Sequence, residues 1–343
     1  MTINAVRRRR GPATRRSAIL LLSAVALLAM LALLHLGVGA RPISPMTLID
    51  VITHFDPTNF DHRILTSLRL PRLEAAILCG ACLGAAGLLL QSLLRNPLAE
   101  PHILGLNAGA SLAVVACAAL PAALIPTGFA RPLIAALGGG LVFVLVLALA
   151  SAGRIGLTVT KLTFCGIALS TLASALISAI LILDQDTLEA MRLWLAGDLA
   201  GANQAATLAA LPPVMVALLS AVLIAPRLDA MMLGDTVAIG FGVPVRRTRA
   251  VGLTAAALFC GAAVSISGPI GFVGLIVPGI AHRLSSGRHL LSLALSALGG
   301  AALLLSADIA ARFLFAPREI ATGIMTALIG APVFLLLVTR AIR

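Results

Sequence analysis

The chain has 343 residues, of which 60% are hydrophobic and only 11% charged, with a mean hydropathy of +1.07 and a formal net charge of +12. That is too little polar surface to clothe a soluble globule of this length, so lipid is expected to be the solvent for much of it. The basic excess does not point to nucleic acid, because in so apolar a chain the positions of Lys and Arg between membrane spans matter more than their sum.

Arg7 to Arg10, Arg15 and Arg16 precede the first apolar run, 18–38. A secretory leader could look like this, but no cleavage pattern and no soluble domain follow. Residues 1–17 are therefore expected to form a basic cytoplasmic segment and 18–38 a retained first span. Apolar windows bounded by Pro, Gly and charge predict further spans at 73–94, 107–125, 133–151, 162–183, 205–225, 250–267, 272–284, 290–309 and 320–338. The expected fold is thus an all-α membrane protein of about ten transmembrane helices, with 18–343 as one transmembrane domain. The eighth window is short and broken by Pro278 and Gly279, and 190–204, around Trp194, is too short to cross. Half-helices or re-entrant pieces are expected at both, since irregular backbone at membrane depth survives where protein or a cavity surrounds it.

The charges fix a direction. With both termini cytoplasmic, most of the 25 Lys and Arg fall inside, leaving Arg41, Arg63, Arg69, Arg72, Arg131, Arg192, Arg312 and Arg318 outside. Asp50, Asp56, Asp61, Asp184, Asp186 and Glu189 also fall outside, and the Lys/Arg bias supports an even number of spans with cytoplasmic ends.

Chemistry-bearing motifs are scarce. There is no Walker motif, no H-E-x-x-H and no metal-spaced His/Cys group, so neither cofactor nor metal is expected and nucleotide hydrolysis would need another subunit. Cys79, Cys82, Cys117, Cys165 and Cys260 lie in apolar runs and read as packing residues. The six histidines are scattered and expected near interfaces.

The second span carries a distinctive string. It opens with Arg69-Leu70-Pro71-Arg72, passes Gly80, Gly84 and Gly87 to Gln91, and runs into Asn96-Pro97-Leu98-Ala99-Glu100-Pro101 and Leu104-Gly105-Leu106-Asn107. Small residues at this spacing permit close helix approach. Further blocks follow: Leu233-Gly234-Asp235, Gly240-Phe241-Gly242-Val243, the run from Gly268-Pro269-Ile270-Gly271 to Val277-Pro278, Ala307-Asp308 with Arg312, and Gly330-Ala331-Pro332. In this order they resemble, over nearly the whole chain, the permease family of binding-protein-dependent ABC importers for iron–siderophore complexes, haem and vitamin B12.

The resemblance implies a ten-helix, non-catalytic subunit of a bacterial inner-membrane importer. It would have an inverted repeat of spans 2–5 and 7–10, a second permease subunit (identical or different), two cytoplasmic ATPase subunits and a periplasmic binding protein. Iron–siderophore is the family's commonest cargo. The resemblance also implies that Arg69, Arg72 and Arg312 dock the binding protein. The cytoplasmic loop 226–249 would be a pair of short helices meeting the ATPase through Met232, Leu233, Gly234, Asp235, Gly240 and Phe241, with Met231 and Ile239 adding apolar contact. Asn96 and Leu98, with Val159 and Thr160, would form cytoplasmic gates. Two departures stand out. Gly279 and His282 occupy positions where the family usually has His and Arg, and Ala321 follows Glu319-Ile320 where a Pro is common. These suggest pairing with an unlike permease. The alternative class, an ion-coupled secondary transporter, needs ionisable groups at membrane depth, and only Glu74 and Asp308, both near outer ends, come close. An intramembrane hydrolase would need paired Asp or a Ser/His couple at depth.

Overall fold

A computed structural model of the chain describes residues 12–39, 41–120, 130–152, 158–314 and 318–341. These form thirteen helices and, among the described residues, no strand. In order they are α1 (Pro12–Gly37), α2 (Pro45–Thr53), α3 (Phe60–Leu94), α4 (Leu106–Ala118), α5 (Ala130–Ser151), α6 (Val159–Leu183), α7 (Gln185–Leu195), α8 (Gln204–Met231), α9 (Asp235–Gly240), α10 (Val245–Ser267), α11 (Val273–Leu284), α12 (His289–Phe313) and α13 (Thr322–Ala341). Seven are long and apolar enough to cross a membrane: α1, α3, α5, α6, α8, α10 and α12. The helices α4 and α11 and the Thr322–Leu336 part of α13 are apolar but shorter. At 13 and 12 residues, α4 and α11 rise only about 20 Å, short of the ~30 Å hydrocarbon core.

Side-chain caps start several of these helices. Ser44 accepts from the Thr47 N–H ahead of α2, Thr158 from Lys161 ahead of α6, Asp184 from Thr187 ahead of α7, and Asn203 from Ala206 ahead of α8. The bonds from the Thr187 hydroxyl and N–H hold the Asp184 carboxyl below its ordinary range.

Three elements depart from the sequence expectation. Helix α3 begins at Phe60 instead of 73, because a π turn over Leu65–Arg69 widens the backbone just before Pro71 and lets the proline enter a continuing helix. Helix α8 runs through exposed Pro226 to Met231, so loop 226–249 holds one short helix, α9, and not a pair. The stretch around Trp194 is the amphipathic α7, whose end wedges beneath α13: Gly323 N–H donates to Gly197 O at 2.7 Å, and Arg131 lies 5.4 Å above the Trp194 ring.

The centre of the bundle is α3, which packs on α8, α10, α11 and α12. Gly80 and Gly84 meet Gly300 and Ser296 of α12 so closely that a Cβ on Gly84 would sit 2.1 Å from the Ser296 carbonyl oxygen. The glycine string is thus a helix-packing seam. Cys79, Cys82 and Cys260 are buried, free packing residues in the same core.

Candidate functional site

The two short helices share a design. A long, largely buried helix (α3 or α10) precedes each, and an irregular Pro/Gly-rich loop leads into it. These loops, 95–105 and 268–272, meet inside the bundle. Asn107 Nδ2 donates to Ile270 O at 2.9 Å, and Asn107 Oδ1 accepts from the Cys260 thiol at 2.9 Å. The carboxylate of Glu100, 2% exposed, accepts from the Phe272 N–H at the start of α11. Gln91 Nε2 donates to the carbonyls of Gly274 and Leu275 at 3.1 and 3.2 Å. Broken backbone at depth is therefore satisfied by protein groups, and Glu100 lies where a helix N-terminus favours negative charge. Glu100 is a buried ionisable residue that hydropathy did not bring out.

Beside this junction a half-open groove of about 590 Å³ runs between α4, α6 and α7. Ser170, Ser174 and Ser178 line it from α6 at four-residue spacing, and Asn107 and Ser111 line it from α4. The hydroxyls of Ser111 and Ser170 are buried without a partner among the described residues. A wall of small hydroxyls in an otherwise apolar helix can offer weak, exchangeable hydrogen bonds to a passing polar solute without gripping it.

The end of the bundle at the Arg69–Arg72 turn of α3 holds a second cluster, and here the three arginines expected to dock a binding protein are turned inward. Arg69, Arg72 and Arg312 are only 7%, 8% and 4% exposed. Asp308, fully buried on α12, receives Arg72 Nε and Nη2 at 3.0 and 2.9 Å, the Thr322 hydroxyl at 2.6 Å and His35 Nε2 at 2.9 Å, with Arg312 Nε at 3.3 Å. Arg69 donates to the carbonyls of Leu36 and Arg41, and Arg312 to those of Val38 and His35. Among the described carboxylates of the cluster, only Glu319, half-exposed and 2.7 Å from Arg72 Nη1, reaches the surface. Guanidinium groups next to hydrocarbon are costly unless paired, and the carboxylate supplies that pairing. His35, expected near an interface, is instead fully buried in this network. The Asp308/Arg312 spacing of four residues was the one sequence signal for it.

At the opposite end, Met232, Leu233, Ile239 and Phe241 are exposed at 54%, 65%, 62% and 70%. They surround α9 as a compact apolar patch, whereas Met231 is buried in the main core. Gly234 has φ 112°, a conformation glycine alone adopts freely, and neither it nor Gly240 has a neighbour that a Cβ would meet. Asp235 is not free: it bridges Arg95 at 2.6 Å and Arg249 at 2.8 Å, tying α9 to the end of α3 and the start of α10.

Of the predicted gate residues, Asn96 caps its own turn, accepting from Leu98 N–H at 3.0 Å, and is buried. Thr160 is exposed in the first turn of α6, and the side chain of Val159 lies outside the described residues. Among the described residues no hydrogen bond joins Asn96 to Thr160. Asn96 also lines a cavity of about 400 Å³ with Gln91, His282 and Gly279, whose missing side chain leaves open space there.

Comparison with known proteins agrees with this geometry. Residues 27–340 match the FecCD transport family. The chain is 39% identical over 314 residues to the ferric enterobactin transport system permease protein FepD of Escherichia coli (strain K12), covering 90% of this chain and 92% of that one. It is 38% identical over 326 residues to the vitamin B12 import system permease protein BtuC of Vibrio vulnificus (strain CMCP6), covering 94% of each. A solved inward-facing conformation of a metal-chelate type ABC transporter superposes with a TM-score of 0.76 at 28% identity, over 94% of this chain and 99% of that one. A match over nearly the whole chain, with relatives of this identity, shows that this protein belongs to the FecCD transport family.

Proposed function

We propose that this ABC-importer permease forms half of the pathway for an iron–siderophore complex in a bacterial inner membrane. The observation that carries the reading is the α4–α6 groove, which Ser111, Ser170, Ser174 and Ser178 line beside a junction of two broken helices. A second permease subunit closes that groove from the exposed side of α6. The departures at Gly279, His282 and Ala321 favour an unlike partner. Co-purification of two different permeases supports this, and a homodimer removes it.

In this reading seven long and three short helices make ten crossings, with 1–17 and the C-terminus cytoplasmic and 18–343 one transmembrane domain. The shared order of long buried helix, irregular loop, short helix and two further helices, in α3–α6 and again in α10–α13, supports an inverted repeat. Delivery is by a periplasmic binding protein and power comes from two cytoplasmic ATPase subunits. ATP-dependent uptake of a ferric siderophore into vesicles holding the assembled complex tests the assignment. Uptake that instead follows a proton or sodium gradient would overturn it.

Docking of the binding protein is assigned to the outer cluster. Because Arg72 is already engaged, a carboxylate of the binding protein has to compete with Glu319, the one accessible partner. Glu319→Gln should therefore tighten binding-protein affinity several-fold, on the order of what a rim charge contributes. Unchanged affinity in a pull-down titration would leave the three arginines a fastening role only.

The patch around α9 is assigned to the ATPase, since an apolar surface rimmed by charge on a short loop fits a protein partner. Met232→Asp with Phe241→Asp should abolish co-purification of the ATPase and lower uptake at least tenfold while insertion is unchanged. Normal assembly with both aspartates present would return the patch to the membrane surface. Asn96 and Leu98, with Val159 and Thr160, are assigned to the inner gate, where small polar and aliphatic side chains close by contact alone.

A further inference from the structure

Helix α1 attaches to the bundle by a narrow stripe. Leu20, Leu21 and Ala24 touch Ala281, Leu291 and Leu295, and further along Leu28, Leu31, Ala32 and Leu36 touch the main core. Beside that stripe a cleft of about 450 Å³ opens between α1, α11 and α12. Its walls are aliphatic, among them Leu20, Leu27, Ile276, Ile280, Leu298 and Leu303, and Ile280 is 56% exposed on it. The outer sides of α1 are apolar and open along its length, with Leu22 70% and Leu33 63% exposed, so the cleft faces hydrocarbon.

The mouth of the cleft at the inner end of α1 is basic. By sequence position, Arg16 and Arg15 lie about one turn before Leu20, Arg288 three residues before Leu291, and Arg283, which also lines the neighbouring cavity with Asn96 and His282, three residues beyond Ile280. All four are exposed, and among the described residues none has a carboxylate partner. Four unpaired guanidiniums around the open end of a lipid-facing apolar cleft match the two halves of one molecule, an anionic headgroup and its acyl chain.

We infer that the α1–α11–α12 cleft is a binding site for one anionic phospholipid, its acyl chain between α1 and α11 and its phosphate held by Arg283, Arg288 and the Arg15–Arg16 pair. Placing that lipid in the cytoplasmic leaflet rests on the cytoplasmic N-terminus proposed above. Lipid retention in detergent does not depend on orientation, so the two readings fail separately.

Native mass spectrometry of the full-length permease, titrated with phosphatidylglycerol or phosphatidylethanolamine, tests the site. The wild type should retain one phosphatidylglycerol under activation that strips phosphatidylethanolamine. Arg283→Gln with Arg288→Gln should weaken phosphatidylglycerol roughly thirtyfold, from two surface guanidiniums lost. Ser23→Phe, a change at an exposed cleft position that removes no charge, should lower retention through the acyl chain, and this variant keeps the test open if the arginine pair folds poorly. Equal retention of the two lipids by the wild type, or wild-type retention by both variants, would overturn the site. Displacement of phosphatidylglycerol by free glycerol phosphate would reduce it to an anion site. Displacement by the ATPase subunit would reassign it to protein contact, and either result refutes the lipid assignment.

Discussion

Replacing Asp308 by Ala should cost the folded permease about 3–5 kcal/mol, the penalty for removing one partner of a buried charge group. Asp308 is 0% exposed and is the common acceptor for Arg72, His35 and Thr322, with Arg312 at 3.3 Å. Its loss leaves two guanidiniums next to hydrocarbon with only Glu319 and backbone carbonyls to hold them. The expected observation in detergent is a large drop in thermal midpoint and in yield of monodisperse protein. Arg72→Gln added to Asp308→Asn should recover part of it, because the double variant no longer strands that charge. A melting temperature for Asp308→Ala equal to the wild type would show that the cluster contributes nothing to holding α1, α3, α12 and α13 together.

The second large effect belongs to the seam between α3 and α12. A methyl group at Gly84 would lie 2.1 Å from the Ser296 carbonyl oxygen, and one at Gly80 2.4 Å from the Gly300 carbonyl oxygen. Both obstacles are backbone, so the helices themselves have to move. Gly84→Ala should destabilise by about 1–3 kcal/mol, as overpacking of a close contact does. Gly84→Leu should abolish folded protein. Gly201→Ala, at a site with nothing within 4 Å, is the matched control and should be neutral. Equal thermal midpoints for Gly84→Ala and Gly201→Ala would mean that α3 and α12 do not approach this closely.

Hydropathy made most of the long helices legible, because each is a continuous apolar run bounded by charge, Pro or Gly. It misplaced the start of α3, where Arg69, Pro71 and Arg72 interrupt the apolar window although the helix continues through a π turn. The weakness of the window at 272–284 was a true signal: α11 is 12 residues long and begins at an interior loop. The family motifs lie at packed places for physical reasons, with glycines at helix contacts and Glu100, Asn107 and Gln91 satisfying the loop junction. What the sequence could not disclose was the environment of Arg69, Arg72 and Arg312. A run of residues shows charge but not partner, and Arg72 finds its carboxylate 236 positions away. The hydroxyl groove was likewise hidden, because Ser170, Ser174 and Ser178 look like ordinary small helix residues until α4 is beside them.

The carboxylate of Asp308 also imposes an order on biosynthesis. His35 leaves the ribosome on α1 and Arg72 on α3, yet their acceptor arrives only with α12, and Thr322, which completes its coordination, only with α13. Until then α3 is threaded into the bilayer with an arginine that has no counter-ion, a state lipid tolerates poorly. The nascent chain is therefore an open ring that its last two helices close. A permease truncated before α12 would be a fully translated but electrostatically unfinished substrate for membrane quality control, however many of its spans had already inserted.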